Sequence, residues 1–215
     1  MSHQSEVFDS EDLGLDGRLM GVLLKPVPFF RKIGLGTPIT RVVPYYAILA
    51  LVMTLLRLHI TGRLENRPEV VLLIFIAPLV GIIVNGVLAG LSQAIGAIVG
   101  AGADIPESMK VYMYGSTPLL FPLLLTVAGI AVPWVLAPGL TPTDGVEVLV
   151  SLWFVVLIVI GLREVHTIST VRALVMAAPA ILLLLANLIA TGAPYWWISW
   201  LYIVLVPPGA APPPG

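Results

Sequence analysis

From Val70 to Ala103 the chain runs 34 residues without a single Lys, Arg, Asp or Glu. No water-solvated element is built this way. As one helix the run would extend about 51 Å, against the ~30 Å of a bilayer's hydrocarbon core. Pro78 is the expected break, because proline removes a backbone donor and clashes with the preceding turn. The span is then Leu79–Ala103, with Val70–Ala77 as its approach. Four similar runs, Val42–Ile60, Thr117–Ala137, Val146–Leu162 and Val171–Ala190, predict an all-α polytopic transmembrane bundle of about five spans. Composition agrees: 58% of residues are hydrophobic and mean hydropathy is +1.01. Lipid must solvate much of that surface.

The flanks differ from the bundle. Residues 1–17 are polar and acidic, and Leu19–Leu24 is too short for the apolar core of a secretory signal. The first span is therefore expected to act as an uncleaved anchor. Residues 18–41 interleave apolar side chains with Arg18, Lys25, Arg31, Lys32 and Arg41, which suits a segment in the headgroup region. On that reading Phe29 and Phe30 are membrane-interface anchors; the other reading is a solvated linker with a few buried side chains. Between Pro194 and Pro207, twelve residues would span about 18 Å as a helix, too short to cross. They hold three of the five Trp (Trp196, Trp197 and Trp200) and two of the six Tyr, an aromatic-belt composition. An interfacial block is expected here, with a distorted sixth span as the alternative, followed by an extended Pro-rich tail. The division is thus 1–41, an N-terminal segment; 42–190, the transmembrane domain; and 191–215, the aromatic block and tail.

Basic residues set the orientation. Five spans and an inner N-terminus put Arg18, Lys25, Arg31, Lys32, Arg41, Lys110, Arg163 and Arg172 inside. Only Arg57, Arg63 and Arg67 then lie outside. Eight against three predicts a cytoplasmic N-terminus by the positive-inside rule. Eight Arg to three Lys suits a GC-rich prokaryote, hence a bacterial cytoplasmic membrane.

Few residues offer chemistry. Gly86, Gly90, Gly96 and Gly100 form two small-residue repeats and are expected at a helix–helix contact, with Asn85, Ser92 and Gln93 adding hydrogen-bonding groups. Arg163, Glu164, His166 and Arg172 form an interfacial charge cluster. It reads as snorkelling and capping, with Ser169 or Thr170 as an N-cap, ahead of a proton relay or a metal site. His59 is a weak axial-ligand candidate for haem or a chlorophyll magnesium, set against an ordinary interfacial histidine. No metal site is expected, and no other cofactor is indicated. Cysteine is absent, which removes disulfides, thiolate ligands and cysteine nucleophiles. A net charge of -1 argues against nucleic acid. No HExxH, GxSxG or Walker pattern occurs, so no enzyme is expected.

Three stretches resemble the Yip1 family of multispanning membrane proteins, in its prokaryotic branch. These are Leu24–Ile33 with its prolines and aromatics, Tyr114-Gly-Ser-Thr-Pro-Leu-Leu120, and Trp153 through Gly161-Leu-Arg-Glu-Val-His166 with Ser169, Thr170 and Ala173. Thr167 stands where glycine is common in that family. The resemblance covers roughly residues 20–190 and implies a five-helix bundle with a cytoplasmic N-terminus. Eukaryotic members interact with small GTPases in vesicle traffic, a role not transferred here. Together these readings predict a non-catalytic scaffold or accessory subunit whose partners are the bilayer and other membrane protein subunits. The rivals are a small-solute transporter or channel, which needs a polar midplane cavity, and a pigment- or haem-carrying subunit of a photosynthetic or respiratory complex.

Overall fold

Residues 15–60, 68–102, 104–127 and 142–191 are described by a computed structural model, and they are helical with short joints. Two short helices, α1 (Leu15–Leu24) and α2 (Pro26–Gly36), lead into α3 (Ile39–Ile60) and α4 (Pro68–Ile98). Next come α5 (Ile105–Gly115), a 3-10 turn (Thr117–Leu119) and α6 (Leu120–Val127). The chain closes with α7 (Pro142–His166), α8 (Thr170–Met176) and α9 (Ala178–Thr191). Among the described residues, three stretches are long and apolar enough to cross a membrane: Ile39–His59, Val71–Ile98 and Leu149–His166. The protein is an all-α polytopic membrane bundle. The aromatic block with Trp196, Trp197 and Trp200, and the Pro-rich tail, lie outside the described residues.

Pro78 does not break α4, which runs unbroken from Pro68 to Ile98. Proline is tolerated within membrane helices because neighbouring groups and small local adjustments re-satisfy the freed backbone. At ~1.5 Å per residue α4 is about 46 Å long, so it tilts or projects beyond the hydrocarbon. The expected fifth span, by contrast, is divided at Ala177 into α8 and α9. Pro179 has no N–H to continue the ladder there. At that break the Met176 carbonyl accepts a bond of 2.7 Å from Ser92 Oγ on α4. Of the expected third span, the structure describes the 3-10 turn and α6.

α4 is apolar on the outside and small or polar on the inside. Phe75, Leu79, Ile83, Val87 and Leu91 recur every fourth residue on its exposed face. Ala77, Gly81, Asn85, Ala89, Ser92 and Gly96 lie on the buried face. Lipid tails are as apolar as leucine, so large side chains gain little by turning inward, whereas small ones let backbones meet. The close contact is made at Gly81, where the Tyr46 hydroxyl of α3 occupies the space a Cβ would need. Among the described residues no comparable approach occurs at Gly86, Gly90 or Gly100 of the two repeats. An added Cβ at Gly90 would meet nothing within 4 Å, and at Gly86 only Met109 Cε at 3.8 Å. Gly96 is buried, but its carbonyl serves the helix end, accepting from Ala101 N–H at 2.8 Å. Gly100, with φ of 70°, ends the helix in the left-handed conformation that glycine adopts without penalty.

Helix α5 falls where the sequence reading placed only a connection, and it sits at the heart of the bundle. Ser108 and Lys110 through Gly115 are all buried. It packs against α3, α4 and α7. Gly115 lets Ile158 Cδ1 come to 2.6 Å of a would-be Cβ, and Gly161 does the same for Val111 Cγ1 at 2.5 Å. The sequence Tyr-Gly-Ser-Thr-Pro ends the helix by bonding its last carbonyls with side chains. Ser116 Oγ donates to the Tyr112 carbonyl at 2.8 Å and Thr117 Oγ1 to that of Tyr114 at 2.6 Å. With the Thr117 proton committed, Tyr45 Oη donates to Thr117 Oγ1 at 2.8 Å, tying α3 to this turn. Tyr112 Oη and Ser92 Oγ lie 2.5 Å apart, and since Ser92 donates to Met176, Tyr112 donates to Ser92. One hydroxyl relay therefore joins α5, α4 and α8.

Gly81→Leu is expected to destabilise the detergent-solubilised protein by about 1–3 kcal/mol, the usual cost of overpacking. Gly90→Leu should melt close to wild type. Thermal melts of the two variants side by side check this, and equal destabilisation would return the packing role to the Gly86–Gly90 repeat.

Candidate functional site

The end of the bundle where α3 begins and α4 and α7 finish collects the charges. Glu164, in the last turn of α7, is its centre. One carboxylate oxygen, Oε2, accepts from Arg31 Nη2 at 2.8 Å and Nε at 3.0 Å. The other, Oε1, accepts from Arg163 Nη2 at 2.6 Å and Nε at 2.9 Å. Each arginine directs two N–H groups at a single oxygen, so the two carboxylate oxygens are divided between the two guanidiniums with charge-assisted bonds. Arg31 lies 133 residues earlier in the chain, and local reading offers no signal for it. It is brought here because α2 packs on α7, where Gly34 lets Val165 Cα approach to 3.2 Å of a would-be Cβ.

His166 belongs to the same turn but faces elsewhere. Its ring is buried and its Nε2 lies 2.9 Å from Ser108 Oγ on α5. The sequence cluster is therefore two separate contacts, one ionic to α2 and one neutral in form to α5. Arg172 contributes through its backbone: its N–H bonds Ser169 Oγ at 3.4 Å, which selects Ser169 over Thr170 as the cap of α8. Beneath His166, Lys110 Nζ contacts both Glu107 oxygens at 2.7 and 2.8 Å.

Phe29 and Phe30 are 7% and 0% exposed, so their rings are packed in protein instead of reaching into the membrane interface. Phe29 meets Tyr114 edge-on at 5.1 Å between centroids, and Phe30 fills the space beside Gly161. Aromatic rings among basic residues looked interfacial by composition. What composition could not supply was the glycine on α7 that receives Phe30, or the seat of Phe29 against Gly21 of α1. His59 is exposed in the last turn of α3, far from the charged end. Among the described residues no group of three or more His, Asp or Glu converges on a metal position.

One contact deepens a family likeness. Thr167, after α7, has φ of 51°, the left-handed region that a β-branched residue enters at a cost. Ile168 N–H then bonds the Arg163 carbonyl at 3.1 Å, six residues closed in a Schellman turn. Glycine satisfies this position without strain. Thr167→Gly is therefore expected to raise stability by about 1 kcal/mol, read as a higher melting temperature; an unchanged or lower value would show that the Thr167 side chain compensates the strain.

No curated protein and no solved structure matches the chain. A family model described as Yip1 domain matches residues 20–191. That interval runs from α1 through the last described helix and includes Phe30, Gly161, the Tyr-Gly-Ser-Thr-Pro turn and the Glu164 ion cluster, and the chain belongs to the Yip1 domain family.

Proposed function

We propose that this protein is a non-catalytic scaffold or accessory subunit of a membrane assembly, working through its surfaces and not by passing solute through its centre. The observation that carries this reading is where space lies in the bundle. A pocket inside the bundle, where Tyr46, Asn85 and Ser116 border an otherwise apolar lining, has a volume of about 10 Å³, no more than a water needs. On the membrane face, an apolar groove of about 660 Å³ runs between α4 and α9, bordered by Ile83, Val87, Leu91 and Leu182. Among the described residues, a tight inner pocket beside an open apolar flank supports a role through helix or lipid contacts.

The orientation we propose puts the charged end in the cytoplasm of a bacterium. Arg18, Arg31, Lys32, Arg41 and Arg163 meet at that end in direct contacts or around one pocket, and such a concentration is retained on the inner side. The polar residues 1–17 and the segment 191–215 then flank opposite faces and supply further partner contacts.

The absence of native cysteine makes labelling clean. A photoreactive label on V87C is expected to crosslink to a second polypeptide in native membranes, and the purified protein should move no solute in liposomes. Crosslinks to lipid alone, together with solute flux, would replace the scaffold by a transporter. With T40C and H59C, an impermeant reagent applied to intact cells should reach only H59C. Labelling of T40C instead would invert the topology.

A further inference from the structure

Beside the Glu164 cluster, where α1, α2 and the start of α3 meet α5, lies a pocket bordered by Arg18, Lys32, Thr37, Arg41 and Tyr114 over an apolar floor of Phe29 and Ile33. Among the described residues, three cationic side chains border it and no carboxylate does. The nearby acid, Glu164, is already engaged on both oxygens by Arg31 and Arg163. Lys32 Nζ is shielded from solvent and has no hydrogen-bond partner among the described residues. An ammonium withdrawn from water with nothing to accept its protons is strongly unfavourable. Supplying an anion removes that cost, and charge-assisted bonds to phosphate are among the strongest a lysine or arginine makes.

The walls are held in place before any ligand arrives. Arg18 Nη1 donates to the Arg41 carbonyl at 3.1 Å, joining α1 to α3. The Arg18 guanidinium also lies against the Tyr114 phenol. Thr37 is fixed by its N–H to the Ile33 carbonyl, in an extended conformation ahead of Pro38. The cavity holds about 30 Å³, roughly two to three times what a single water requires. That is room for a few oxygens around one centre and excludes a folded peptide.

We propose that this pocket binds a phosphoryl group, held by Lys32, Arg18 and Arg41. Its depth points to the source. The apolar window of α3 begins at Ile39, two residues beyond Thr37, so a phosphate here sits at the hydrocarbon boundary, where the headgroup of an anionic phospholipid lies. Basic pockets at that level are suited to such headgroups. A free phosphate ion shares the chemistry but not the acyl chains.

The test is the melting temperature of the full-length protein in a nonionic detergent, titrated with phosphatidylglycerol, phosphatidylcholine or inorganic phosphate. Phosphatidylglycerol is expected to raise it, and phosphatidylcholine, whose choline offsets the charge, to leave it nearly unchanged. An equal rise with inorganic phosphate that competes with the lipid would keep the pocket and make the free ion its ligand. Lys32→Met should melt higher than wild type without ligand, because a buried charge is removed, and should lose the response to phosphatidylglycerol. Arg41 is exposed and its side chain can be changed without disturbing the core, so Arg41→Gln decides the matter should Lys32→Met not fold. It is expected to weaken the response roughly tenfold, the loss of one charged hydrogen bond. If neither anion raises the melting temperature, or if Arg41→Gln responds as wild type does, the pocket is not a phosphoryl site.

Discussion

At Gly161 the α2, α5 and α7 helices converge: Phe30 and Val111 both occupy the space that any side chain there would take. In water such a crossing would be one contact among many that bury oily surface. In a bilayer the solvent is itself oily, and helices associate through dispersion at close range and through hydrogen bonds. Distance between backbones then decides cohesion. Gly34, Gly81 and Gly115 repeat the device on α2, α4 and α5, each with a neighbour set against its missing side chain. Remove the close approach at Gly161 and Phe30 has no seat, α2 leaves α7, and Arg31 loses Glu164.

Polar groups supply the second source of cohesion, and each is placed where the backbone is interrupted. Ser116 and Thr117 bond the last carbonyls of α5, Tyr45 ties their turn to α3, and Ser92 bonds the carbonyl at the break between α8 and α9. Interrupted helices within a membrane protein are stable where side chains satisfy the orphaned carbonyls. The breaks at Pro118 and Pro179 are thereby points of attachment between helices.

The charged end joins architecture to the proposed role. Glu164 holds α2 to α7 with two arginines, and beside it three further cations meet with no acid among the described residues. Paired charges close the structure there, while the three cations border the pocket proposed to take an anion. An apolar groove on the membrane face and a basic end are the two surfaces on which the proposed role rests.

Much of this was legible from one dimension. Apolar run length and scarcity of charge determined that the chain is helical and membrane-embedded, because the hydrocarbon thickness and the need to satisfy backbone groups admit little else. The Trp153–His166 and Tyr114–Leu120 stretches carried the family, and Ser169 its cap. Helix α5 was not legible, since a short run containing Glu107, Ser108 and Lys110 reads as a surface connection; only the walls of α3, α4 and α7 make it the centre. Nor could the Gly86–Gly90 repeat be told from Gly81, because which face of α4 meets Tyr46 depends on how two helices cross. Phe29 and Phe30 show the same division most plainly. The sequence determined that two rings stand among cations near a membrane, but their turn toward protein depended, for Phe30, on Gly161 some 130 residues away and, for Phe29, on Gly21 and Tyr114, and only the tertiary structure brings those neighbours beside them.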